Sequence, residues 1–251
     1  MSGARTAWIF LTRVPAGDDP SPDIGRAVPW FPVVGAVVGA AVGLVFVGAR
    51  ELLPPLASAA ATISAGALVT GAFHHDGLAD IADAFGGGWD RAQRLQILKD
   101  PRHGTYGVMA LVCLVVTQVA ALAALGPAQG FATLVAAHTL GRAGAIALLA
   151  GAPAASGRGL GAEYAATASR RGVLVGIGVS AFFAALALGA WVAVALAAVA
   201  CTSIVAGVLA HRKIGGISGD VLGAAEQLGE TATLLVATGL VRHDVAFPWW
   251  R

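Results

Sequence analysis

Charge is scarce in this sequence. Asp, Glu, Lys and Arg make up only 12% of 251 residues, while 57% are hydrophobic; a soluble domain carries about 25% charged residues. The shortage excludes an ordinary soluble fold and predicts an integral membrane protein whose length is spent on several spans of about 20 residues each. Cysteine is almost missing. Cys113 and Cys201 each sit in an apolar run, remote from other candidate ligands, which excludes a disulfide framework or zinc site. Basic clusters are missing as well: with a net charge of +2 and 16 scattered Lys and Arg, nucleic acid is set aside as a partner. Near the start, "TAWIFLTRVP" is too briefly apolar before Arg13 to form a signal-peptide core, and no small-residue cleavage site follows. The N-terminus is therefore expected to be retained as a short interfacial helix with Trp8 at headgroup level.

What is abundant is Ala, Gly and Val in long runs. Unbroken apolar stretches predict seven spans, at 29–49, 54–73, 105–126, 130–150, 172–190, 191–210 and 221–241. The expected fold is an all-α, polytopic membrane helix bundle of about seven transmembrane helices with short interfacial helices, forming a single domain over 1–251. Gly35, Gly39 and Gly43 recur every fourth position, which favours close helix packing, either within one chain or between copies in a homo-oligomer. Glu226 and Glu230 interrupt the last span, which is read as shorter or re-entrant. With the N-terminus inside, 12 of the 16 Lys and Arg fall on inner segments: Arg5, Arg13, Arg26, Arg91, Arg94, Lys99, Arg102, Arg158, Arg170, Arg171, Arg212 and Lys213. Arg50, Arg242 and Arg251 fall outside, and Arg142 lies within a span. The polar loops then face the cytoplasm.

The acids are not scattered. In "FHHDGLADIADAFGGG", Asp76, Asp80 and Asp83 are spaced i, i+4, i+7, on one face of a helix. Like charges so placed repel, and desolvation near a membrane raises the cost, so a cation is expected among them. Oxygen-only ligands select a hard ion such as Mg²⁺, which is usually completed by waters and substrate phosphates. The competing reading is a solvated helix face beside Arg91 and Arg94. A second acidic helix starts in "GGISGDVLGAAEQLGE", where Gly215, Gly216 and Gly219 make a flexible turn, Ser218 caps the helix, the backbone N–H groups favour anions, and Asp220 is a further hard ligand. Two acidic helices meeting at one site suit metal-assisted displacement at phosphorus.

Between them, "ILKDPRHGTYG" brings Lys99, Arg102 and His103, with Gly104 and Gly107 permitting close backbone approach. Such a loop can grip phosphate; its simpler reading is a basic loop near anionic lipid. Arg142, four residues after His138 inside an apolar run, is costly unless it meets an anion or a wet cavity. His74 is a weaker candidate, as metal ligand, base or orienting group. Glu226, with Gln227 beside it, is expected to lie at the edge of the site and to tolerate substitution. The spacings alone support a membrane enzyme that binds Mg²⁺ between acidic helix ends and acts on a phosphate or pyrophosphate from the cytoplasmic side. A cation-coupled transporter would carry its acids at the midplane between two matching halves, and no internal repeat is present. An intramembrane aspartyl protease needs only a pair of acids.

These motifs, with "FLTRVP" at 10–15, "PWFPVVGAVVG" at 29–39 and "GRA" at 141–143, resemble the cobalamin synthase family of adenosylcobinamide-GDP ribazoletransferases over about residues 8–240. The family pattern H-x-D-G-L-A-D-x-x-D falls on His74, Asp76, Gly77, Leu78, Ala79, Asp80 and Asp83. Its loop K-D-x-R-x-G-x-Y-G falls on Lys99, Asp100, Arg102, Gly104, Tyr106 and Gly107, and G-G-x-T-G-D falls on Gly215, Gly216, Gly219 and Asp220, with Ser218 for Thr. The resemblance implies a bacterial or archaeal inner-membrane, Mg²⁺-dependent enzyme. Its donor would be adenosylcobinamide-GDP and its acceptor α-ribazole or the 5′-phosphate of α-ribazole, with GMP released. It implies Asp76, Asp80, Asp83 and Asp220 as Mg²⁺ ligands, Asp83 or another of these aspartates, or His74, as proton acceptor, and Lys99, Arg102 and Arg142 on phosphate. The acidic motif is also similar to that of CDP-alcohol phosphotransferases, whose fuller pattern is not matched.

Overall fold

The computed structural model of the chain describes residues 3–17, 21–155 and 160–249; Arg158 and Arg251, counted above, lie outside the described residues. Among the described residues twelve α-helices follow one another: α1 (Gly3–Leu11), α2 (Ile24–Ala27), α3 (Phe31–Leu52), α4 (Pro55–Thr70), α5 (Phe73–Gly87), α6 (Arg91–Ile97), α7 (Thr105–Ala123), α8 (Pro127–Leu148), α9 (Leu160–Thr167), α10 (Arg170–Leu188), α11 (Val192–Ile214) and α12 (Gly219–Arg242). Among the described residues the β-type pairing is confined to an isolated bridge between Ala154 and Ile217. Pro32, Pro55 and Pro127 stand in the first turns of α3, α4 and α8, where the missing N–H costs no hydrogen bond. Gly71 and Gly215, both at positive φ, end α4 and α11.

The all-helical bundle agrees with the sequence pattern, and each predicted span falls on a helix. The span count does not reach seven on length and hydropathy: among the described residues four segments qualify, or five if α4 and α5 are taken as one bent span. Three physical reasons account for the difference. The acids of α12 lower its hydropathy. At 16 residues, α4 is only about 24 Å long at 1.5 Å per residue, short of a hydrocarbon core of about 30 Å. Residues 170–214 form one apolar stretch of 45 residues, yet it folds back at Gly189 (φ 61°). A Cβ on Gly176 of α10 would meet Ile146, and one on Gly207 of α11 would meet Leu148, so both helices pass the same end of α8. Nor is the last helix interrupted: α12 runs unbroken through Glu226 and Glu230.

α8 is the axis of the bundle, flanked by α3, α10, α11 and α12. The glycine repeat of α3 serves this contact. A Cβ at Gly35 would fall 2.5 Å from the His138 carbonyl oxygen, and one at Gly39 2.6 Å from that of Leu134, so backbones meet with no room for a side chain. That face is used within the chain. Outward, α3, α7, α10 and α11 present Leu44, Val116, Leu174, Phe182 and Ile204, an apolar surface that suits lipid and would be costly in water. α1 is docked on the bundle, Phe10 packing against Phe31, Phe73 and Tyr164.

Candidate active site

A sharp bend builds the site. α5 leaves α4 at 93° through Gly71 (φ 66°) and Ala72 (φ 54°). The Ala72 N–H donates back to the Ala67 carbonyl (2.7 Å), which satisfies a carbonyl that the helix end would leave orphaned. A left-handed alanine costs about 1–2 kcal/mol, and the Arg13 N–H holds the adjacent turn by donating to the Val69 carbonyl (2.7 Å). After the bend, α5 packs along the start of α12. Gly77 makes this possible, since a Cβ there would sit 3.0 Å from the Asp220 Cα.

The two acidic segments therefore meet, as their composition predicts. Asp76, Asp80 and His103 bring donor atoms within 4.8 Å of one another; His103 Nε2 lies 3.6 Å from Asp76 and its Nδ1 3.7 Å from Asp80. Asp220 is close enough for its charge to bear on both aspartates. Ser218 caps α12 as expected, accepting from the Val221 N–H (3.3 Å), and its hydroxyl donates to Asp220 Oδ2 (3.2 Å). The glycine turn before it is flanked by Arg91, which donates to the carbonyls of Ile214 (2.8 Å) and Ala155 (3.0 Å). Arg94 likewise donates to the carbonyls of Gly88, Trp89 and Lys213. Both arginines are committed to carbonyls and pair with none of the aspartates.

Asp83 does different work from its neighbours. It is buried, and its carboxylate accepts from the Gly104 N–H (2.6 Å) and the Gly107 N–H (2.9 Å). Gly104 is the residue before α7 and has no side chain to cap with, so Asp83 supplies the cap from α5. This anchors the 97–107 loop beside the metal-type cluster. It also engages the Gly104 N–H, which is not free to hold phosphate. Arg102 is 85% exposed and forked onto Asp100, with Nε and Nη2 donating over 2.8 and 2.6 Å. This pairing holds the Asp100 carboxyl at about 2, below its ordinary value. Lys99 is exposed on the same loop.

Deeper in, a second polar cluster surrounds Arg142, which is 1% exposed. Its Nη1 donates to the His138 carbonyl (2.7 Å), Glu226 (2.8 Å) and Glu230 (3.1 Å). His138 Nδ1 lies 2.5 Å from Glu230, and His74 Nδ1 lies 3.4 Å from Glu226. Gln227 donates to both glutamates and Gln118 to Thr231. Arg142 is thus matched to buried acids and lies apart from the Lys99–Arg102 loop that it was expected to join on phosphate. His74 turns toward Glu226, not toward the aspartates. Glu226, fully buried, is no edge residue. The signal for this cluster was present in the sequence, since two acids in an apolar helix require the lone intramembrane arginine. His103 was read only as a positive charge; that it would fold back over Asp76 and Asp80 depends on the Asp83 anchor.

Taken together, these features define a helical membrane enzyme with a carboxylate-rich centre where α5 and α12 meet. The chain belongs to the cobalamin-5-phosphate synthase family, matching it over residues 3–238. Similar proteins named adenosylcobinamide-GDP ribazoletransferase include one from Bradyrhizobium diazoefficiens, 41% identical over 93% of this chain and 92% of that one. Another, from Azorhizobium caulinodans, is 38% identical over 94% of each chain. A third, from Shewanella frigidimarina, is 35% identical over 93% of this chain and 94% of that one. No solved structure matches the chain.

Proposed function

We propose that the protein transfers the cobinamide phosphate of adenosylcobinamide-GDP to the 3′-hydroxyl of α-ribazole, or of its 5′-phosphate, releasing GMP in a Mg²⁺-dependent reaction at the cytoplasmic face of an inner membrane. The observation that carries this reading is the meeting of Asp76 and Asp80 with Asp220, acids from opposite ends of the sequence, at one accessible site. Two or three carboxylates with one face open to solvent fit Mg²⁺, which keeps waters and takes substrate phosphates as ligands. When bound, the ion would neutralise charge on the pyrophosphate and the departing GMP. Asp76, Asp80 and Asp220 would hold it, and Asp83 positions the Lys99–Arg102 loop alongside, where these cations can meet phosphate oxygens.

In the transfer, the acceptor oxygen bonds to the phosphorus that carries cobinamide while the bond from that phosphorus to the GMP oxygen breaks. The hydroxyl proton needs an acceptor. Asp83 and His74 are engaged elsewhere and the remaining aspartates are assigned to the ion, so we assign the role to His103, which lies 3.6 and 3.7 Å from Asp76 and Asp80. The cytoplasmic orientation is supported by the bias of Lys and Arg toward inner segments, and the fold-back at Gly189 supports two crossings within 170–214. The test is incubation of purified protein with adenosylcobinamide-GDP, α-ribazole and Mg²⁺, with a CDP-alcohol donor as control. GMP and the joined product are expected only with the first donor; turnover of the CDP-alcohol alone would replace this reading with lipid-type phosphotransfer.

A further inference from the structure

The segment "FLTRVP" at 10–15 has no part in the chemistry described so far. It puts Phe10 on α1 and Arg13 just beyond its end. Both line a cavity of about 500 Å³ between α1, α2 and the bend from α4 to α5, with Ile9, Thr70, Phe73 and Tyr164 around it. That volume is in the range of small-molecule sites. Phe73 and Tyr164 pack edge-on against Phe10, their centroids 5.0 and 5.5 Å away, so the three rings make one wall and the space lies beside it. Arg13 crosses the bend. A Cβ at Gly71 would fall 2.2 Å from its Nε, and its backbone N–H is fixed on the Val69 carbonyl (2.7 Å). The residue is exposed, and among the described residues its guanidinium has no hydrogen-bond or ion-pair partner. The cavity also adjoins the carboxylates: Phe73 stands three residues before Asp76 and seven before Asp80, on the same face of α5. From Phe73 to Asp76 is about 4.5 Å along the helix.

We propose that this cavity seats the acceptor nucleoside, with its benzimidazole against the aromatic wall, its ribose toward Asp76 and, in the phosphorylated form, its 5′-phosphate on Arg13. The inference rests on the transferase reading for the identity of the acceptor, and on the cavity for the rest. Three features select this occupant. The wall of rings and Ile9 suits a flat apolar ring. Free polar groups are few, since the Thr70 hydroxyl already donates to the Gly66 carbonyl (2.9 Å); a benzimidazole has no exocyclic polar group to leave unsatisfied, whereas guanine would bury O6, N1–H and the N2 amine. The uncommitted guanidinium matches one phosphate monoester, which it can grip through two parallel N–H bonds. A nucleoside seated in this way has its sugar between the cavity and the acidic face of α5, where the attacking hydroxyl is needed. Arg13 is a binding residue for the acceptor in this assignment and takes no part in the bond exchange.

The test uses the full chain in nanodiscs with Mg²⁺ and measures equilibrium binding of α-ribazole, its 5′-phosphate and GDP. In the wild type the 5′-phosphate is expected to bind roughly five- to ten-fold more tightly than α-ribazole. Arg13→Gln should erase that difference, leaving α-ribazole and GDP within about two-fold of wild type, and those two ligands report in the same sample that the bend has kept its shape. Ile9→Trp, which fills the cavity, should weaken both acceptors by roughly five-fold or more and spare GDP. Equal weakening of both acceptors by Arg13→Gln overturns the assignment, as does unchanged acceptor binding in Ile9→Trp. Nanodiscs of phosphatidylglycerol in place of phosphatidylcholine should leave binding of the uncharged α-ribazole unchanged; its loss there would give the cavity to a lipid. GMP release from adenosylcobinamide-GDP, assayed separately, distinguishes the failures. Release without the expected binding pattern removes the acceptor cavity alone, and the pattern without release removes the transferase reading alone.

Discussion

The protein has two polar clusters about two turns of α12 apart, and they are built in opposite ways. In the outer one, Asp76, Asp80 and His103 have side chains 61, 20 and 44% exposed and contacts of 3.6–3.7 Å, too long for hydrogen bonds. In the inner one, His138, Arg142, Glu226 and Glu230 are buried, with contacts of 2.5–3.1 Å. Loose like charges open to solvent are ready for a cation and its ligands. Tightly paired charges in an apolar bundle are already neutralised by one another and serve mainly to join α8 to α12. The same residue types thus divide into a receptive centre and a structural one, and solvent access decides which is which.

Removing the inner cation should do most damage to the fold. Arg142→Met leaves Glu226 and Glu230 buried and uncompensated, and is expected to destabilise the bundle by about 3–5 kcal/mol, read as loss of the thermal unfolding midpoint in detergent. Neutralising the acids together with the arginine, as Arg142→Met with Glu226→Gln and Glu230→Gln, should recover much of that loss. If the triple variant is no more stable than the single one, the cluster is not held by charge compensation. In the outer centre the pattern inverts. Asp80→Asn is expected to cut Mg²⁺-dependent GMP release by roughly a hundredfold or more while stability stays within about 0.5 kcal/mol of wild type. Near wild-type release would remove Asp80 from the metal site.

The contrast between the clusters also explains what could be read from the sequence. Helices, their small-residue faces and the Asp76–Asp80–Asp220 meeting follow from local pattern and the cost of unpaired charge, so they were legible. The number of crossings was less so, because Glu226 and Glu230 look like an interruption until Arg142 is placed opposite them from another helix. Asp83 has a second role for a similar reason. Its i+7 spacing puts it on the same helix face as Asp76, but a helix face spans several neighbours, and α7 meets α5 at Asp83. Only the tertiary contact shows that one carboxylate of the triad also caps a remote helix.

Asp83→Ala separates these two roles. It would leave the N–H groups of Gly104 and Gly107 without their acceptor, a loss of about 1–2 kcal/mol for a removed cap. Asp83→Asn keeps one acceptor oxygen and should cost less. For either variant, the Mg²⁺ concentration giving half-maximal activity is expected to stay within about two-fold of wild type, because the proposed ligand set of Asp76, Asp80 and Asp220 is intact. A large rise in that concentration at unchanged stability would restore Asp83 to the metal.

The smallest effect concerns the loop that Asp83 anchors. Arg102 is solvent-exposed, and its fork is taken up by Asp100 two residues away, so a phosphate must compete with a carboxylate already in place. Asp100 remains ionised down to about pH 2 because the Arg102 hydrogen bonds favour its charged form, and the competition therefore persists at any working pH. Releasing the arginine with Asp100→Asn should lower KM for the donor by roughly two- to five-fold, with kcat little changed and the gain fading as salt is raised. The unfolding midpoint should not move, since an exposed pair contributes little to the fold. Arg102→Ala should raise KM instead. Opposite shifts from the two variants would identify Arg102 as a phosphate contact restrained by its own neighbour, whereas an unchanged KM in both would leave the grip to Lys99 alone and make the Asp100–Arg102 pair a local feature of the loop.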